Sequence, residues 1–267
     1  MPYKSEYLKS VGFIDPHNLS QVAPDSHNRG LDPGERQAFP YGSTPGLGSP
    51  TIDKIPRSEW DDRLKEMDDT KSSLWHLMDS LNSPVKDQNG TSYCWVFGIT
   101  RAVEVRIGSQ RNEAVLLSAT SVGCKIKNFR NQGGWGRDAI VYGEEHGFVP
   151  ESLWPANKLD RKYDTPAAWK AAESYIVEEW DELEENDFDM AMSYAFQRYA
   201  FGLGLDWWGH LITGMVPIGN GDGTYSLGID NSWDVTWGDR GRGVLKENKA
   251  RGDACVPRKI RSTASTV

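Results

Sequence analysis

From Cys94 to Ile107 the chain reads Cys-Trp-Val-Phe-Gly-Ile-Thr-Arg-Ala-Val-Glu-Val-Arg-Ile, a proline-free run with apolar side chains on nearly every side of a helix. Such a helix has no face to give to water, so it must pass through the middle of a domain with other elements packed around it. Ser92 is in place to cap its start, and Gly108 to end it. The surround is affordable in size, because a chain of 267 residues can bury roughly 70–75% of the surface its unfolded form exposes.

Composition narrows the partners. With 38 Asp+Glu against 30 Lys+Arg the net charge is −8, which argues against a nucleic-acid binder that works by neutralising phosphates. The basic residues Arg251, Arg258, Lys259 and Arg261 are read as a solvated tail. Cys94, Cys124 and Cys255 form no C-x-x-C pair, so neither a disulfide scaffold nor a zinc finger is expected, and neither a metal nor a cofactor is called for. No stretch approaches the ~20 apolar residues of a membrane span, and the N-terminus lacks the apolar core of a signal peptide. The expected location is therefore the cytoplasm or a virion, with no membrane partner.

Residues 1–54 differ from the rest, holding seven of the 14 prolines and no sustained periodicity. They read as an extended arm: a flexible tail, a pro-segment over a cleft, or a strap ordered on a partner. No long amphipathic helix is spelled there to grip a lobe. The expectation is that this arm binds another chain or an assembly and leaves the cleft uncovered. Further on, Ser58 to Met78 has the mixed pattern of surface helices, and residues 84–90 form a loop. Pro166 opens a helical stretch that runs through Ala167 to Trp180, and the acids from Glu178 to Asp189 read as a solvated face. Asp187 to Tyr199 is a further helix and Phe201–Leu205 a strand.

Strand-like residues 211–218 and 224–230 flank a loop centred on Asn220-Gly221, a β-hairpin signal. With those two residues as the turn, His210 lies directly across from Asn231, their Cβ atoms roughly 4.5–5.5 Å apart. A neutral amide can accept one ring N–H and leave the other nitrogen to face a nucleophile. Cys94 is the candidate nucleophile, since a thiol in the first turn of a helix, near an imidazolium, has its pKa lowered. Gln88 can add a side-chain N–H beside the backbone N–H of Cys94, the makings of an oxyanion hole.

These pieces together resemble the papain-like cysteine peptidase superfamily. Pro84-Val85-Lys86-Asp87-Gln88 with Cys94-Trp95-Val96-Phe97 is similar to the family's oxyanion glutamine, nucleophile and central helix. Leu117-Ser118 leading to Gly133-Gly134 resembles the segment that lines the substrate cleft. Gly209-His210 and Asn231-Ser232-Trp233 with Trp237-Gly238 resemble the histidine and asparagine signatures, and Ile55-Pro56 with Trp60 and Arg63 the start of a mature domain. The resemblance implies an α+β fold of two lobes over residues 55–262, a helical one (about 55–165) and a β-barrel-like one (about 166–262), with residues 263–267 as a tail. It makes Cys94 nucleophile, His210 base and acid, Asn231 the orienter and Gln88 an oxyanion donor. Gly133, Gly134, Trp233 and Tyr93 become cleft residues, with Trp233 also shielding the His210/Asn231 bond.

The departures are specific. The family's disulfide beside the nucleophile is lost at both ends, where Thr91 and Asn131 stand. Tyr93 replaces a small residue and is expected to crowd the cleft. His210 follows Cys94 by 116 positions, short of the family's ~130–150. Residues 64–83 read as an insertion. The leading expectation is a thiol endopeptidase acting on peptides or proteins. Its rival is a structural assembly protein, for instance of a phage virion, that uses the domain as a scaffold, and a third reading is an amidase or transferase built on the same dyad.

Overall fold

The computed structural model describes residues 2–23, 29–31 and 50–261. The proposed tail 263–267 and most of the Pro-Gly-Ser stretch 40–50 lie outside them. Among the described residues the helices are α1 (Leu19–Val22), α2 (Trp60–Thr70), α3 (Leu74–Ser80), α4 (Cys94–Arg111), α5 (Ala119–Ile126), α6 (Gly136–His146), α7 (Pro166–Ala172) and α8 (Phe188–Phe196). The strands are β1 (Val177–Leu183), β2 (Phe201–Leu205), β3 (His210–Gly219), β4 (Tyr225–Asp230), β5 (Arg242–Lys246) and β6 (Asp253–Ile260), forming one antiparallel sheet in the order β1-β6-β2-β3-β4-β5.

The apolar run becomes α4, which buries 14 of its 18 residues. It runs past Gly108, which lies inside it with space for a Cβ limited by Leu81 and Met78, and stops at Asn112 in the left-handed conformation. Tyr93, and not Ser92, is its N-cap residue, with no side-chain capping bond. Around α4 the two expected lobes are present. One core gathers α4, α5 and α6 through Trp95, Phe97, Ile99, Val122 and Ile140. Another lies on the sheet with α8, and it also takes Trp60, Leu64 and Met67 of α2. The stretch around α2, assigned from sequence to the helical lobe, thus packs on the sheet lobe.

The reading of residues 167–180 as helix is corrected. Thr165 caps α7 through its side chain, with Pro166 in the first turn, but the helix ends at Ala172 and residues 177–183 become edge strand β1. The acids are not simply a solvated face, nor are the C-terminal basic residues a solvated tail. β1 pairs with β6, and Arg258 meets Asp181 at 2.9 Å and Glu179 at 3.2 Å while Lys259 meets Glu178 at 3.1 Å. Opposite charges on adjacent strands support the pairing.

Candidate active site

The position of Cys94 follows from how closely α4 approaches β3. A Cβ on Gly98 would lie 2.4 Å from Leu211 Cδ2 and 3.1 Å from the Ile212 carbonyl oxygen, so only glycine lets helix and strand touch there. Thr213 Oγ1 then donates to the Gly98 carbonyl at 3.0 Å. This contact brings the N-terminal turn of α4 to the start of β3, where His210 sits. The backbone N–H of Leu211, the next residue, approaches the Cys94 sulfur, as do those of Trp95, Gly30 and Leu31.

His210 and Asn231 meet, though by another route than the one read from the turn. The hairpin loop is longer than two residues: Asn220 N–H donates to the Thr224 carbonyl, and Asp222 Oδ1 accepts from Thr224. Gly219 therefore pairs with Tyr225, a register that by itself would put His210 and Asn231 on opposite faces. A bulge at Met215 shifts the pairing, so that Gly214 faces Ile229 and Thr213 faces Asp230. Continued to the strand ends, this places Asn231 across from Ile212, diagonal to His210 on the same face. His210 Nε2 lies 2.7 Å from Asn231 Oδ1, which also accepts from the Ser232 N–H at 2.8 Å. Because that oxygen can only accept, the ring proton belongs on Nε2, and Nδ1 is the basic nitrogen of the neutral ring.

Aromatic rings cover this bond. Trp233 stacks on His210 with centroids 4.5 Å apart, and Trp208 meets the same ring edge-on at 5.1 Å. With the arm docked, Trp233 is fully buried between His210, Trp208 and Trp237, where its ring lies over the His210/Asn231 bond and presents no open surface to the cleft.

Gln88 is buried and joined to the asparagine segment. Its N–H donates to the Ser232 carbonyl, its Oε1 accepts from Ser232 Oγ at 2.7 Å, and its Nε2 donates to the Thr91 carbonyl at 2.7 Å. Ser232 thereby fixes which end of the Gln88 amide presents N–H, a role not read from the sequence. Tyr93 does not crowd the cleft. Its hydroxyl donates to the Arg130 carbonyl and its ring lies against Gly123 inside the helical lobe. Asn131 spans the place where the family carries its disulfide, accepting from Ser92 N–H at 2.6 Å and reaching the Gly90 carbonyl at 3.4 Å.

The cleft itself is filled by the chain's own arm, which overturns the expectation that the arm leaves it uncovered. Gly30 N–H donates to Cys94 Sγ at 3.1 Å, and the Gly30 carbonyl accepts from Gly134 N–H at 2.8 Å. Leu31 forms a parallel bridge with Gly134, and Arg29 Nη1 donates to the Trp208 carbonyl. Only glycine fits, because a Cβ on Gly30 would lie 1.8 Å from the Ser92 oxygen, and a Cβ on Gly133 would lie 2.7 Å from the Gly30 oxygen. Gly133 and Gly134 thus line a cleft, with residues 29–31 as its occupant.

This burial decides the state of the thiol. The sequence predicts a lowered pKa at a helix start beside a histidine, but burial pushes the Cys94 thiol up to about 11, despite the N–H groups that favour the thiolate. Burial also raises Cys124 to about 11 and carries Cys255 well above the ordinary range. With the arm docked, burial thus favours the neutral thiol at all three cysteines.

Comparison with known proteins gives this arrangement a context. The description "Papain family cysteine protease" matches residues 72–264. Mouse cathepsin K is 25% identical over 224 residues, 76% of this chain and 65% of its own length. Falcipain-2a of Plasmodium falciparum is 26% identical over 217 residues, 68% of this chain and 44% of its own. The chain thus spans under two thirds of either relative. Among solved structures, the proform of the ragweed pollen cysteine protease Amb a 11 superposes with a TM-score of 0.65 at 15% identity, covering 97% of this chain and 79% of that one. Bromelain from Ananas comosus, in complex with the E64 inhibitor, gives 0.53 at 18% identity over 68% of this chain and 94% of its own.

Proposed function

As this chain belongs to the papain family of cysteine proteases, we propose that it is a thiol peptidase held latent by its own arm. The observation that carries the reading is the His210 Nε2 to Asn231 Oδ1 bond of 2.7 Å beneath Trp233, which aims a basic ring nitrogen in a water-poor site. In the reaction His210 Nδ1 takes the Cys94 proton and the thiolate adds to the substrate carbonyl carbon. The oxyanion is met by the backbone N–H of Cys94 and the Gln88 side-chain N–H. His210 returns the proton to the departing amine, leaving an acyl-thioester, and then takes a proton from the water that hydrolyses it. The relatives support a peptidase and lend nothing to a structural assembly role.

The docked arm is not in position to react. Gly30 turns an N–H to the sulfur, a hydrogen bond made in the peptide plane, whereas attack requires approach to a carbonyl carbon from above that plane. The proform superposition reaches across the arm region of the sequence, consistent with latency.

Replacing Gly30 by leucine tests this, since the side chain cannot fit against the Ser92 carbonyl. Gly30→Leu should alkylate at Cys94 at least about tenfold faster than the intact chain at pH 8, as burial is relieved. It should also hydrolyse unstructured peptides, and Cys94→Ala in the same background should abolish this. An opened cleft with no Cys94-dependent hydrolysis would refute the peptidase. Unchanged alkylation would refute latency.

A further inference from the structure

We infer that a second part of the arm, residues 14–22, is a positioning element for His210, so that one segment both blocks the nucleophile and builds the histidine side of the site. The inference rests on the peptidase reading above. Its basis is that Trp208, which packs on His210, and Trp237, which packs on the Trp233 ring stacked over it, are both held by this segment's backbone. Trp208 Nε1 donates to the Val22 carbonyl at 2.6 Å, and Trp237 Nε1 donates to the Gln21 carbonyl at 2.8 Å. These are the two rings that flank Trp233, at centroid distances of 5.7 Å and 6.0 Å, each nearly perpendicular to it.

The segment is anchored independently of the cleft. Val244 N–H donates to the Gly12 carbonyl and Ile14 N–H to the Val244 carbonyl, extending the β5 edge of the sheet. Ile14 and Val22 are both buried, in the same core as Trp208, Trp233 and Trp237. A Cβ on Gly243 would lie 2.9 Å from both Ile14 Cδ1 and Trp237 Cη2, which shows how closely Ile14 is wedged against that indole. Without residues 14–22 two buried indole N–H groups lose their acceptors and two rings lose a wall, which frees the cover over His210 to move. Among the described residues blocking is the work of residues 29–31, so freeing the cleft and removing the whole arm are different operations.

The test compares Gly30→Leu with Gly30→Leu carrying Ile14→Asp and Val22→Asp, which place carboxylates in the apolar seat and unseat residues 14–22. Two signals are read: steady-state peptide hydrolysis, and the His210 ring Nε2–H resonance by proton–nitrogen NMR. The expected result is a fall in kcat of roughly ten- to a hundredfold with KM nearly unchanged, the size that a misplaced general base brings. The ring N–H resonance should vanish, and Gly30→Leu/Val22→Ile should keep both signals. Equal kcat with a persistent ring resonance in the triple variant would overturn the inference. If the triple variant loses its far-ultraviolet circular dichroism, Gly30→Leu with Trp208 replaced by 3-benzothienylalanine decides instead, since a sulfur in place of the indole nitrogen keeps the bicyclic ring and removes only the N–H. A fall in kcat there supports the positioning role, and an unchanged kcat overturns it. Should Gly30→Leu itself show no Cys94-dependent hydrolysis, the peptidase reading falls, and the ring resonance alone decides whether residues 14–22 position His210.

Discussion

The two walls of the cleft are assembled in different ways. On the helical wall the bonds are short in sequence: Gln88 to Thr91 spans 3 residues, Asn131 to Ser92 spans 39 and Tyr93 to Arg130 spans 37. On the sheet wall the His210/Asn231 bond itself spans 21, but the bonds that support it are long: Trp75 to Asp230 spans 155, Arg101 to Asp230 spans 129, and Trp208 to Val22 spans 186. The first wall is mostly loop meeting loop beside α4. The second exists only once the arm, α3, α4 and the sheet have all come together. Its hub is Asp230, next to Asn231, whose buried carboxylate takes Trp75 Nε1 at 2.8 Å and Arg101 Nε at 3.0 Å.

If this difference is real, damage to the hub should exceed damage to the loops. Asp230→Ala leaves the buried Arg101 guanidinium without its closest carboxylate and should destabilise the protein by about 3–5 kcal/mol, the usual result of breaking one side of a buried pair. Urea unfolding at constant slope measures it, and a loss below about 1 kcal/mol would erase the contrast between the walls. On the helical wall Asn131→Ala should cost less, about 1 kcal/mol, because Ser92 N–H loses an acceptor at an exposed position where water can replace it. A cost as large as that of Asp230→Ala would mean that this loop bridge is as central as the hub.

The same division governs what could be read from the residues alone. α4 was legible because its apolar run admits only burial; Cys94 is its first residue and Gln88 lies six positions before it. The hairpin was legible as a hairpin, but its register was not: the Gly-rich loop conceals how many residues turn, and nothing in the sequence marks the bulge at Met215 that returns His210 and Asn231 to one face. Residues 177–180 were read as helix, and the acids beyond them as a solvated face, since these acids mask an edge strand whose partner charges lie some 80 positions on. The arm was misread for a related reason. Its contacts at Gly30, Gln21 and Val22 are made by backbone N–H and C=O groups, which every residue carries, so no side-chain pattern announces them. The available signals were a glycine beside Leu31 in a polar stretch, and the tryptophans clustered near His210 and Asn231, whose N–H groups needed buried acceptors.

The smallest expected effect isolates burial as the cause of the contrast. Lys259 and Glu178 also join distant parts of the chain, at 3.1 Å across β6 and β1, but the lysine side chain is 52% exposed and the glutamate 30%. Length of sequence separation alone would rank this pair with Asp230 and Arg101. Solvent screening ranks it far lower, and Lys259→Ala should cost no more than about 0.5 kcal/mol. The pH dependence fixes the sign. Its bond to Lys259, the largest influence, with Arg261 also contributing, holds Glu178 below the usual carboxylate range, so the stabilisation is present above the unfolded value near 4.5 and is lost as pH falls through the lower folded value. The small difference between wild type and Lys259→Ala should therefore be seen in urea at pH 7, shrink with added salt, and close as the pH drops below 4.5. A loss of several kcal/mol at pH 7 would show that sequence span, and not burial, sets the weight of the contacts holding the sheet wall.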